Sequence, residues 1–135
     1  MSENWVADIA EMHDKYGVLE KVQKFDKEKL QQFFQFRVKF LEEEMHELKT
    51  AESAEDVVDA LIDLCVVAIG TLDLFEVDPH LAWDRVHEAN MNKKVGIKES
   101  RPNPLGLPDL IKPEGWMAPT HDDNVGSLMS IFDDY

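Results

Sequence analysis

Between Glu42 and Asp63 the chain carries nine of its 28 acidic side chains: Glu42, Glu43, Glu44, Glu47, Glu52, Glu55, Asp56, Asp59 and Asp63. Lys49 is the single base among them. A solvated charged face explains such a run in general, and Glu42, Glu52 and Glu55 need no other reason. Glu43, Glu44 and Glu47 have a more particular spacing. On a helix turning about 100° per residue, Glu43 and Glu47 lie about 40° apart and Glu44 falls within about 100° of Glu43, so the three share one arc. Without a counter-ion each close pair repels by about 1 kcal/mol in water and about 4 kcal/mol at an effective dielectric of 20. A hard divalent cation removes that penalty.

Asp63 adds to this. From Ala60 to Leu72 it is the only ionisable residue besides Cys65. A helix apolar nearly all round is expected to be buried, and a buried carboxylate needs a partner, a proton or a metal. Asp59 stands one turn earlier on the same face, and Asp56 extends that face toward the helix start. If the two helices pack antiparallel, Asp59 and Asp63 face Glu43, Glu44 and Glu47. The resulting oxygen-only site suits Mg²⁺, with Mn²⁺ as a substitute. The structural alternative is a buried Asp satisfied by a Lys or Arg from elsewhere in the chain.

The elements that position these acids follow from periodicity and caps. A first helix is expected over about Glu3–Tyr16, stopped by Gly17. A second follows Asp26 as N-cap and runs to about Thr50, and Ser53 caps a third that reaches about Phe75. Asp78-Pro79 reads as N-cap and first-turn proline of a fourth, ending near Gly96. Five of the six prolines lie beyond residue 100, which sets an all-α, four-helix core over residues 1–96 apart from an irregular C-terminal extension over 97–135. Phe33, Phe34, Phe36 and Phe40 read as core or subunit interface, and His46, His80, Asp84 and His87 as surface. Trp83 and Trp116 remain open between packing and base contact.

The 135 residues carry a net charge of −14, which disfavours nucleic acid and anionic membranes as partners. The lone Cys65 excludes a disulfide scaffold and a cysteine-based zinc site, and suits a reducing cytosol. No run is apolar and long enough to span a bilayer. Walker, Gly-x-Ser-x-Gly and Cys-x-x-Cys motifs are absent, so P-loop, esterase and thioredoxin chemistry lack support.

The segment Leu41-Glu-Glu-Glu-Met-His-Glu47-Leu, followed by Val58-Asp-Ala-Leu-Ile-Asp63, resembles the all-α NTP pyrophosphohydrolases, a superfamily of MazG proteins, dimeric dUTPases and phosphoribosyl-ATP pyrophosphohydrolases. Its signature, Glu-Glu-x-x-Glu on one helix and Glu-x-x-Asp on the next, falls on Glu43, Glu44, Glu47 and Asp63. The position three before Asp63 is Ala60, with Asp59 one residue out of register. Met12-His13-Asp14-Lys15-Tyr16-Gly17, Asn90-Met91-Asn92-Lys93 and Lys112-Pro-Glu-Gly-Trp116 are similar to segments of the MazG-like branch often found in phages.

The resemblance implies hydrolysis at the α-phosphorus of a nucleoside triphosphate, releasing a monophosphate and pyrophosphate. It implies metal binding by Glu43, Glu44, Glu47 and Asp63, with Asp59 as an additional ligand, and catalysis by Glu44 and Glu47, of which Glu44 is the base. Asn90, Lys93, Lys94 and Lys112 would contact substrate, and Arg101 could assist. Similar proteins are homodimers or homotetramers. A purine deoxynucleotide, dGTP, is the favoured substrate, beside phosphoribosyl-ATP or dUTP. The rival reading from another class is a non-catalytic acidic interaction protein that mimics DNA.

Overall fold

The computed structural model describes residues 1–101 and 104–132. The helices are α1 (Trp5–Lys15), α2 (Val18–Val22), α3 (Lys27–Lys49), α4 (Ala54–Leu74), α5 (Pro79–Met91) and a terminal α6 (Met129–Phe132) preceded by a 3₁₀ turn at Gly126–Leu128. Strands β1 (Lys94–Gly96) and β2 (Asp109–Ile111) form an antiparallel ribbon, with Lys94 opposite Ile111 and Gly96 opposite Asp109. The fold is all-α, as its periodicity implies.

Side-chain caps start the long helices where the sequence places them. Asp26 Oδ1 accepts from the Lys29 amide at 2.9 Å and Ser53 Oγ from the Asp56 amide at 3.0 Å. Each satisfies an amide that has no partner within its helix. The first helix starts after Asn4, whose side chain accepts from the Ala7 amide at 3.0 Å. Beyond Gly17 the chain turns at once into α2, which periodicity over so few residues does not reveal. The last long helix stops at Met91 rather than near Gly96, because residues 94–96 pair with β2 instead. Residues 109–111, in the proline-rich part of the chain, thus form a strand.

The chain divides into two compact units. One comprises residues 1–79 and the segment from Asn124 onward, the other residues 80–123. In the first, α4 packs chiefly on α3 and then on α1. Arg37, midway along α3, bonds to Val67 and Thr71 late in α4, whereas Glu47, near the end of α3, meets Asp63 earlier in α4, so the two long helices run antiparallel. The apolar centre lies around Val22, Leu30, Leu74, Phe75 and Val77. Phe75 has no solvent exposure, and Phe33 and Phe34 pack on its ring with centroids at 5.6 and 6.1 Å. Two of the four phenylalanines of α3 thus belong to the core, whereas Phe36 is exposed.

The C-terminal segment is strapped to this unit. The Asp78 amide donates to Asn124 Oδ1 at 2.8 Å, Asn124 Nδ2 donates to the Asp78 carbonyl at 2.9 Å, and the Ser127 amide donates to the Phe75 carbonyl at 2.8 Å. Gly126 sits at φ +53°, where a Cβ would fall 1.9 Å from the Phe75 carbonyl oxygen. Only glycine fits there. Phe132 closes the strap against Phe34, at 5.7 Å between centroids.

Candidate metal centre

The acids are positioned by the contact between α3 and α4. Along α4 the buried residues are Ala60, Val67, Gly70 and Leu74, a narrow stripe at spacings of seven, three and four. This stripe faces α3, and the small residues at 60 and 70 let it approach. At Gly70 an added Cβ would lie 2.9 Å from Arg37 Nη2 and 3.3 Å from His13 Cε1. Arg37, 9% exposed, fills this space: Nε donates to Thr71 Oγ1 at 2.9 Å and Nη2 to the Val67 carbonyl at 3.0 Å, while the guanidinium lies over Phe33 and Phe40. Burial lowers its pKa from the ordinary arginine value. His13, also buried, bonds through Nδ1 to Asp73 Oδ2. These three residues join α1, α3 and α4, and nothing in the acid pattern signalled them. The available sequence signals were Arg37 amid aromatic residues and a glycine inside an apolar helix.

With the helices so held, Glu44, Glu47 and Asp63 each offer a carboxylate oxygen within 4.8 Å of the others. Among the described residues this is the one such group of potential metal ligands. Its burial differs from expectation. Asp63 is exposed, and Glu44 is the buried member, at 8% exposure. The reason is that this chain covers only the 60–67–70–74 stripe of α4, leaving Val58, Leu61 and Ile62 in solvent on either side of Asp63. The buried Asp satisfied by a Lys or Arg is accordingly not Asp63. Among the described residues, the acid of α4 with an ion-pair partner is Asp73, and the partner is His13.

Glu44 Oε2 is inaccessible to solvent and has no hydrogen-bond partner. The carboxyl is held above the usual glutamate range, first by burial, then by a hydrogen bond and repulsion from Glu47, and further by the charges of Asp63 and Glu43. An orphaned buried carboxylate oxygen beside two other carboxylates is costly in isolation. All-oxygen donors at this spacing fit a hard divalent cation, which answers both the orphaned oxygen and the repulsion. Glu43 is exposed and outside the group of three, though near enough to act on Glu44. Asp59 is also outside it, but with Asp56, Glu47, Asp63 and Thr50 it lines a cleft of about 330 Å³ that opens beside the group. Ala60, where the signature has Glu, is buried and also lines that cleft.

More than half of the chain, residues 16–90, matches the family model of phosphoribosyl-ATP pyrophosphohydrolase. The chain belongs to that family. The matched segment contains the whole of α3 and α4, and hence every acid of the cluster, and places the protein among pyrophosphohydrolases, enzymes acting on acid anhydrides. No curated protein and no solved structure matches the chain. No helix is long and apolar enough to cross a membrane among the described residues.

The remaining residues named from sequence fall in the unit of residues 80–123. Asn90 is exposed on the last turn of α5, and Lys94 is exposed on β1. Lys93 and Lys112 meet at Trp116, with their ammonium nitrogens 5.4 and 5.2 Å from the ring centroid. Arg101 is engaged instead by Asp109 at 2.9 Å. The Leu110 amide and then Arg101 hold the Asp109 carboxyl below the ordinary aspartate value. His80, Asp84 and His87 are exposed and form no ligand cluster.

Proposed function

We propose that the protein is a Mg²⁺-dependent nucleotide pyrophosphohydrolase that converts a nucleoside or deoxynucleoside triphosphate to the monophosphate and pyrophosphate. The observation that carries this reading is Glu44 Oε2, buried and unpartnered, in a group with Glu47 and Asp63. Glu44, Glu47 and Asp63 would hold the cation, with Glu43 and Asp59 at its margin. A bound divalent ion supplies charge neutralisation for the triphosphate and a lowered pKa for water. Water oxygen forms the new bond to the α-phosphorus, and the bond to the bridging oxygen of the β-phosphate breaks as pyrophosphate departs. Glu44, a carboxylate beside the cation, would take the proton of the attacking water. Glu47, exposed at the cleft, keeps the approach to Glu44 polar. A DNA mimic would have no use for a buried carboxylate with one oxygen left unpartnered.

Among triphosphates we favour dGTP. Phosphoribosyl-ATP is the second reading, favoured by the description of the family matched over residues 16–90. The exposed apolar residues of α4, Val57, Val58, Leu61 and Ile62, support assembly as a homodimer, alone or within a homotetramer. The test is pyrophosphate release from a panel of dNTPs, NTPs and phosphoribosyl-ATP with Mg²⁺. One member should turn over, and Glu47→Gln and Asp63→Asn should each reduce kcat by about a hundredfold or more. The reading fails if nothing in the panel is hydrolysed or if both variants match the parent.

A further inference from the structure

The segment from Lys93 to Lys112, which holds the β1–β2 ribbon, reverses the charge of the chain around it. Five bases stand against two acids there, net +3 in a protein of net −14. The segment is also apolar. Val95 and Leu110 lie opposite each other across the ribbon and both are exposed, so they share one face, which Ile97 continues at 85% exposure. Val95, Ile97, Pro104, Leu107 and Pro108 line a cleft of about 580 Å³ together with Lys98. Each strand packs chiefly on the other. A two-stranded ribbon alone is marginal in water and needs a helix or a further strand against its apolar face.

The first half of α4 is the complement of this ribbon. Val57, Val58, Leu61 and Ile62 are exposed on it, and residues 54–63 carry four acids and no base. Glu55 and Asp59 fall within about 60° of Ile62 around the helix, so they flank its apolar face. Two α4 faces laid together would oppose these carboxylates, a repulsion that grows as water leaves the contact, and two ribbons would oppose their lysines. A ribbon on an α4 face brings unlike charges together and covers apolar surface on both sides. Within one chain both faces stand in solvent. We propose that the ribbon of one copy docks on the first half of α4 of a second copy. Given in both directions, the contact makes a closed pair. This rests on the homodimer proposed above and not on the hydrolysis.

The test is analytical ultracentrifugation of the full chain, with thermal melts to check that each variant is folded. Ile97→Asp on the ribbon and Leu61→Asp on α4 should each weaken dimerisation about tenfold or more, since each buries an unanswered carboxylate. Val95→Asp and Val58→Asp, also at exposed positions, replace either one if it does not fold. Mixed in equal amounts, the two variants should pair with each other, because the ribbon of the Leu61→Asp chain still meets an intact α4 on the Ile97→Asp chain. A chain carrying both substitutions should pair with neither. Raising NaCl from about 0.1 to about 1 M shortens the screening length from about 10 to about 3 Å and should weaken the parent dimer severalfold. Pairing in the mixture no tighter than in either variant alone overturns the proposal, as does a dimer that salt tightens. Dissociation by Leu61→Asp but not by Ile97→Asp overturns the ribbon's part and leaves assembly through α4. A monomeric parent overturns both and leaves the enzyme reading to its own test.

Discussion

Glu44 is an acid whose protonation the fold shifts, and burial first, then its acidic neighbours, set the direction. Its carboxyl holds a proton above the ordinary glutamate range in the folded chain, so between the unfolded and folded values the folded state binds more protons than the unfolded one. Stability of the metal-free protein is then greatest below the ordinary glutamate value with respect to this group, and is lost as pH rises through the raised one. Melts in EDTA across that window should show this slope for the parent and not for Glu44→Gln. Added Mn²⁺ needs the ionised carboxylate and should raise Tm more above the window than below it. The convergence of Glu44, Glu47 and Asp63 was legible in the sequence, because spacings of three and four on helices fix a shared face. Which of them is buried was not. That depends on how much of α4 this chain covers, and the pattern of apolar residues around Asp63 overstated it.

At the scale of elements, the caps at Asp26 and Ser53 were readable because they act within one turn of their own helix. The Arg37, His13 and Asp73 arrangement was not, since it depends on pairs as far apart as 60 residues. Arg37→Met should remove two bonds from a charged donor and cost about 2 kcal/mol in urea unfolding, because the methionine keeps the volume but leaves Thr71 and the Val67 carbonyl with each other alone. Gly126→Ala puts a methyl where the Phe75 carbonyl already is. The 3₁₀ turn and α6 should then lift from Phe34 and Phe75, with a loss of more than about 1 kcal/mol and faster amide exchange at Ser127. The β1–β2 ribbon escaped the sequence reading for a related reason: three-residue strands are too short to show alternation, and their pairing spans a proline-rich loop.

For the whole molecule, the charge of −14 divides between a solubilising surface and a compact group that calls for cations. The exposed apolar residues beside Asp63 on α4 predict assembly, and Leu61→Asp should convert the proposed dimer to a monomer in light scattering at micromolar concentration. Unchanged mass would remove α4 as the interface.

The paired hydrogen bonds between Asp78 and Asn124 bring together points 46 residues apart in sequence. They work as a clasp, so residues 80–123 leave and re-enter the first unit through one doorway. Lengthening a loop whose ends are already joined costs only about 0.6 kcal/mol for each doubling. Sequence can therefore be gained, lost or exchanged inside the clasp while the acidic cluster keeps its scaffold.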